Sequence, residues 1–191
     1  FSLQVLLRQF CIYNIIMRIV LLITSLSFLL SGEIKPSSEN YILNHFMNGT
    51  NISMHILELK NNIKKDVENK VKQRFYRNKL YYWNVSIGDS TIAYAFLDNV
   101  IGKSMPITFL IILNIDGEII STSVIKYREA YGGEIGNKAW LNQFTNKNDS
   151  SSYKVGKDID GITGATISVN SMSKGIKKIA TLYPIIKNQL K

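Results

Sequence analysis

The residues best suited to chemistry lie near the C-terminus, in the run Asp160-Gly161-Ile162-Thr163-Gly164-Ala165-Thr166-Ile167-Ser168, with Ser171 three residues further on. Gly164 and Ala165 leave the backbone bare between the hydroxyls of Thr163, Thr166 and Ser168, so a phosphate can come close. From about Ser171 the spacing of Met172, Ile176, Ile179 and Tyr183 is helical, and Pro184 ends or kinks the run. The hydroxyl-rich segment therefore reads as a loop ahead of a helix N-terminus. Unpaired N–H groups and the positive end of the helix dipole favour an anion there. Thr166 becomes both a contact and a candidate ester oxygen, and Lys154, Lys157, Lys174, Lys177 and Lys178 flank the segment as cations able to offset phosphate charge. By spacing alone, the simpler reading of the same hydroxyls is as helix caps.

A second stretch, Lys126-Tyr127-Arg128-Glu129-Ala130-Tyr131-Gly132-Gly133-Glu134-Ile135-Gly136, leaves an apolar run and turns at paired glycines. Tyr127, Arg128, Glu129 and Tyr131 then sit beside flexible backbone that can admit a planar ligand or a phosphate. A plain polar connection between a strand and a helix fits the same residues equally well.

These two stretches need a scaffold. Tyr81–Ile87, Thr91–Asp98, Pro106–Ile115 and Glu118–Tyr127 are rich in β-branched and aromatic residues, with Gly88-Asp89, Gly102 and Asp116-Gly117 between them. Asp116-Gly117 between two apolar runs predicts a hairpin. An antiparallel meander follows, and with a short helix over Ala139–Phe144 and the C-terminal helix the expected class is α+β. Upstream, Ser37–Asn40 reads as a linker. Across Tyr41–Leu80 the residues Ile56, Leu59, Ile63, Val67, Val71 and Phe75 keep helical spacing, with Lys60, Lys64, Lys65, Lys70, Lys72, Arg74, Arg77 and Lys79 on the other face. Such a basic face can meet anionic headgroups or an acidic redox partner, or simply be solvated.

The N-terminus reads as an export signal. Met17-Arg18 is followed by an apolar run, Ile19 to Leu30, and then by Ser31-Gly32-Glu33. A charged start, a short apolar stretch and small residues form the pattern of a secretory signal, with Met17 as the expected start. The rival reading joins Leu3 to Leu30 into a membrane anchor, against the cost of Arg8, Asn14 and Arg18. The expected organisation is a signal or anchor over 1–32, a linker and basic amphipathic helix over 33–80, and one domain over 81–191, placed outside the cytoplasm.

Composition narrows the remaining options. The 191 residues carry 23 basic and 14 acidic side chains, a net charge of +9. Arg8 and Arg18 are the only charges in the first 32 residues, so the body of the chain is basic in its own right. No nucleic-acid recognition motif accompanies that charge, and nucleic acid is not an expected partner. The single cysteine, Cys11, lies in the apolar N-terminus and excludes both an internal disulfide and a cysteine metal site. A Gly-x-Gly-x-x-Gly dinucleotide fingerprint is absent, which weighs against a nicotinamide-dependent reductase.

The run Asp160 to Ser168 resembles the flavinylation motif of FMN-binding domain proteins, such as the C subunit of the sodium-translocating NADH:quinone oxidoreductase and the G subunit of Rnf-type complexes. Upstream, Tyr94-Ala95-Phe96-Leu97-Asp98, Gly102-Lys103, Pro106-Ile107-Thr108-Phe109-Leu110 and Tyr127 to Ile135 are similar to small exported members, so the likeness covers about 81–179. The resemblance implies FMN held in phosphoester linkage to the threonine after Gly-Ala, here Thr166, with Ser168 as the fallback hydroxyl. A dedicated flavin transferase would supply it from FAD. Asp160 would shape the loop that the transferase reads, Thr163, Gly164 and Ala165 would complete the motif, and Tyr127, Arg128, Glu129 and Tyr131 would be flavin neighbours. The implied role is electron relay between membrane redox proteins. A flavin-dependent reductase or a non-redox phosphate-binding module are the alternatives.

Overall fold

Apolar runs broken by turn residues build the centre of the molecule. In the computed structural model, residues 34–46 and 49–191 are described, and the expected signal or anchor over 1–32 lies outside them. Five strands form one antiparallel sheet in the order of the chain: β1 (Thr50–Glu58), β2 (Lys79–Ile87), β3 (Ser90–Ile101), β4 (Pro106–Asn114) and β5 (Ile119–Lys126). The predicted meander is present, and β4 is its interior, with every residue from Ile107 to Leu113 buried. A strand buried on both faces reads as a near-continuous apolar run, and Ile107 to Leu113 is one interrupted only by Thr108.

The turn between β4 and β5 forms where Asp116-Gly117 predicts it. Gly117 takes φ +91, and Asn114 closes the turn by accepting the amides of Asp116 and Glu118 on its side-chain oxygen at 3.0 and 2.9 Å. Leu113 then faces Ile119 across the hairpin.

One face of the sheet carries the larger core. The C-terminal helix α4 (Thr166–Ile186) lies across β3 and β4 and meets α2 (Asn61–Val71), burying Val67, Phe96, Phe109, Met172, Ile176 and Tyr183 together. Gly175 sets the approach of helix to sheet, because a Cβ there would stand 2.4 Å from Val100 Cγ1 and 3.3 Å from the Phe109 ring. The opposite face holds Trp83, Val85, Ala95, Leu110 and Ile112 against Ile42 of α1 (Ile34–His45). Trp83 Nε1 donates to Glu39 at 3.1 Å, and the Tyr41 hydroxyl bonds Ser121 Oγ at 2.7 Å. After β5 the chain makes a 3₁₀ turn (Gly133–Gly136), the short helix α3 (Lys138–Leu141) and a second 3₁₀ turn (Asn142–Phe144), matching the short helix expected over Ala139–Phe144.

Two upstream expectations change. The helical spacing over Tyr41–Leu80 conceals a strand, β1, and the polar stretch Ser37–Asn40 is helical rather than a linker. As an edge strand β1 pairs on one side only and leaves residues of both faces exposed, so it lacks the strict alternation that marks a half-buried strand. The compact unit accordingly runs from Ser38 to Lys191, and segment 33–80 contributes a strand and part of the core to it. Among the described residues, no helix is long and apolar enough to cross a membrane.

Candidate functional site

The helix that closes the sheet also opens the site. It begins at Thr166, five residues before the Ser171 predicted from apolar spacing, because its first turn carries hydroxyls rather than core residues. Thr166, Ile167 and Ser168 are therefore the first helical residues and not a loop ahead of them. Ala165 is the N-cap and no side chain caps the helix, so Thr163, Thr166 and Ser168 do not play the capping role that their types allow. The first amides of an α-helix have no intrahelical partner. Here those of Thr166, Ile167 and Ser168 remain as donors beside the positive end of the helix dipole.

Two further segments reach this helix start. The β3–β4 connection brings Lys103, Ser104 and Met105, and the segment after β5 brings Arg128, Glu129, Ala130 and Tyr131. With Gly164 to Ser168 they line a cleft of about 640 Å³. Gly164 turns the chain into the helix at φ +80, a conformation that L side chains rarely adopt, and a Cβ there would meet open space, so its role is conformational. Gly132, at φ +83, is needed for room as well. A Cβ on it would lie 2.9 Å from the Tyr127 hydroxyl and 3.1 Å from the Ala165 Cβ, so the paired-glycine turn is pressed onto the helix cap.

Glu129 joins the three segments. Its Oε1 accepts the backbone amides of Ser104 at 2.7 Å and Met105 at 3.1 Å, and its Oε2 accepts the Ser168 hydroxyl at 3.1 Å. The Tyr127 hydroxyl donates to the Tyr131 carbonyl at 2.6 Å and lies 3.2 Å from Glu129 Oε2. Desolvation alone would raise the Glu129 carboxyl pKa, but the bonds from Ser104, Met105, Ser168 and Tyr127 outweigh it and hold the group below the usual carboxylate value. Partial burial, with the neighbouring carboxylate, pushes the Tyr127 phenol upward, so it stays protonated as a donor.

The remaining residues singled out in the sequence divide between lining and support. Arg128 donates through Nη1 to the Pro106 carbonyl at 2.8 Å and Thr108 Oγ1 at 3.0 Å, which fixes the guanidinium at the cleft wall while its other N–H groups have no protein partner among the described residues. Tyr131 is 86 % exposed at the rim. Thr166 is exposed, and its hydroxyl has no hydrogen-bond partner among the described residues, whereas Ser168 is 4 % exposed and engaged by Glu129. Thr163 is exposed in the approach to the helix and does not line the cleft. Asp160 stands outside the cleft too. Its amide donates to Gln143 and its carbonyl accepts Trp140 Nε1, both at 2.8 Å, and it lines a neighbouring hollow with Glu134, Asn137 and Trp140. Lys178 belongs to the core, where its Nζ lies 2.8 Å from Asp98 Oδ2, donates to the Arg74 carbonyl at 2.7 Å and stands 4.2 Å over the Phe75 ring. It is not available to a phosphate.

Sequence reasoning missed Lys103 and Met105, which sit in a connection with no periodic signal, and missed that Met105, Tyr131 and Ile167 expose their apolar side chains around one cleft. An apolar rim above free amides and two cations, Lys103 and Arg128, suits a ligand with a flat apolar end and an anionic end.

Residues 102–181 match the family model for the FMN-binding domain. The chain carries an FMN-binding domain. The matched span begins at Gly102 and ends beyond Ser168, so every cleft residue lies inside it, and the apolar rim and the anion-ready helix start fit the ring and the phosphate of that flavin. Among solved structures, NqrC of Shewanella oneidensis is similar in fold, with a TM-score of 0.53 and 16% sequence identity over 74% of this chain and 84% of that one. No curated protein matches the sequence. The FMN-binding domain here is thus an α+β unit whose antiparallel sheet is closed by the helix that starts in the cleft.

Proposed function

We propose that this flavoprotein carries FMN covalently, through a phosphoester to Thr166 Oγ1, and relays electrons between membrane-associated redox proteins outside the cytoplasm. The observation that carries the reading is Thr166 itself: an exposed, unengaged hydroxyl on the first residue of an uncapped helix, at the wall of the cleft of an FMN-binding domain. The free amides of Thr166, Ile167 and Ser168, with Lys103 and Arg128, would hold the phosphate. Met105, Tyr131 and Ile167 would cover the ring and exclude water from one side of it. The flavin, when bound, supplies the redox chemistry, and the protein supplies its position and electrostatic surroundings.

Attachment requires a flavin transferase with FAD as donor. Thr166 gains an Oγ1–phosphorus bond and loses its hydroxyl proton, while AMP leaves with the electrons of the broken phosphoanhydride bond. The N-terminal apolar run supports delivery across a membrane, and the basic residues on and around α2, from Lys60 to Lys79, suit an anionic membrane or an acidic partner. The test is co-expression with a flavin transferase followed by intact mass and absorbance of the denatured protein. An FMN adduct that disappears in Thr166→Ala supports the reading, and a colourless, unmodified wild-type chain sinks it. Peptide mass spectrometry of the exported protein locates the mature N-terminus in the same experiment.

A further inference from the structure

Two hydroxyls share the first helical turn, and the cleft treats them differently. Ser168 Oγ donates to Glu129 Oε2 at 3.1 Å and is 4 % exposed. Gly102 closes over that contact: a Cβ on it would stand 2.8 Å from Glu129 Oε2 and 2.9 Å from Ser168 Oγ, so the backbone of the β3–β4 connection holds carboxylate and serine together on that side. Thr166 is exposed, and its hydroxyl has no hydrogen-bond partner among the described residues.

We infer that Glu129 is a specificity-determining residue that withholds Ser168 and so directs phosphoester formation to Thr166. Three physical effects act together. The carboxylate accepts a hydrogen bond from the serine hydroxyl and holds that hydroxyl inward. The Gly102 backbone lies close against the pair and leaves the carboxylate little room to swing away from the serine. A phosphodiester on Ser168 would also bring its own negative charge against a carboxylate that the amides of Ser104 and Met105 keep in place. Glu129 is held ionised by these donors, which makes it an acceptor throughout the neutral range. Its position is that of a positioning residue, since it acts through Ser168 and through the cleft wall rather than on the reacting atoms.

The inference rests on the covalent reading above, and it is tested by where the label goes rather than by whether the protein works. Wild type, Thr166→Ala, Glu129→Gln and the double variant would each be co-expressed with a flavin transferase and FAD, and the FMN-bearing peptide sequenced by mass spectrometry. Glu129→Gln keeps the shape of the side chain and an oxygen for the Ser104 and Met105 amides, but turns a donor group toward Ser168. The expected pattern is label on Thr166 alone in wild type, complete loss in Thr166→Ala, label divided between Thr166 and Ser168 in Glu129→Gln, and label on Ser168 in the double variant. Label on Ser168 in Thr166→Ala with Glu129 intact overturns the inference without any need for the Glu129 variants to fold. So does Glu129→Gln labelled only on Thr166. A wild-type chain without any adduct fails earlier, because it removes the covalent reading itself and this inference with it.

Discussion

Helix α4 is two different surfaces on one rod. Over its first turn Thr166 and Ile167 are exposed, no side chain caps the amides, and hydroxyl and backbone donors stay open beside a cleft. From Val169 to Tyr183 one face of the same helix is core: Gly175 leaves the space that Val100 and Phe109 need, Ser173 Oγ donates to the Tyr153 carbonyl at 2.7 Å, and Lys178 is fully buried on Asp98. Polar residue types occur in both halves. In the buried half the Ser173 and Lys178 donors are engaged, because an unpaired buried donor is costly, and Thr181 Oγ1 is the exception, buried without a partner among the described residues. In the exposed turn the Thr166 hydroxyl and the first amides are left available while Ser168 is held by Glu129, and it is the available groups that a binding surface requires. Chemical type alone does not separate a ligand group from a structural one, and the partner across the fold does.

Variants that cut into the buried half should show the largest effects. Asp98→Ala strands the Lys178 ammonium inside the protein and is expected to cost about 3–5 kcal/mol in urea unfolding, the range for removing one partner of a buried ion pair. Gly175→Ala forces the helix off Val100 and should cost about 1–3 kcal/mol by the same measurement, as overpacking does. Gly102→Ala acts at the cleft, where the nearest obstruction is the end of the Glu129 side chain. Its expected cost is smaller, about 1 kcal/mol, from strained hydrogen bonds to that carboxylate. Thr166→Ala touches an exposed, unengaged hydroxyl, and its thermal melt should stay within about 0.5 kcal/mol of wild type. A large loss there would break the contrast between the two halves.

Acid sharpens the same contrast. Because the folded Glu129 value lies below the ordinary 4.5, its contribution to stability is complete above that pH and is lost as pH falls through the depressed folded value. In Glu129→Gln this dependence is missing, so the gap between wild-type and variant melting temperatures should be widest near neutral pH and shrink below pH 4.5. An unchanged gap on acidification would mean that the carboxylate is not what ties the cleft segments together.

Much of the sheet is legible from local pattern. The strands β2 to β5 fall within a few residues of their apolar runs, and the Asp116-Gly117 turn is where its φ requirement puts it. β1 is not, since an edge strand with exposed residues on both faces carries no clean period of two. The start of α4 is misplaced for a related reason: periodicity reports burial, and Thr166 and Ile167 are exposed. Thr166 stands out only through its resemblance to a flavinylation motif. The roles of Glu129 and Lys178 are illegible locally, because they are set by Ser104, Met105 and Ser168 in one case and by Asp98 and Arg74 in the other.

The meander order has a consequence for the sequence of events in folding. Each strand pairs with the one just made, and β2 to β5 are joined by short turns, so that part of the sheet can zip up from local hairpins as the chain is completed. The cleft cannot, because it needs the connection after β3, the segment after β5 and the start of the final helix together. Thr166 is the last of these to be synthesised, and its setting exists only after α4 has docked on a finished sheet. Modification at this position would therefore mark molecules whose folding is complete, and truncated or misassembled chains would stay unmarked.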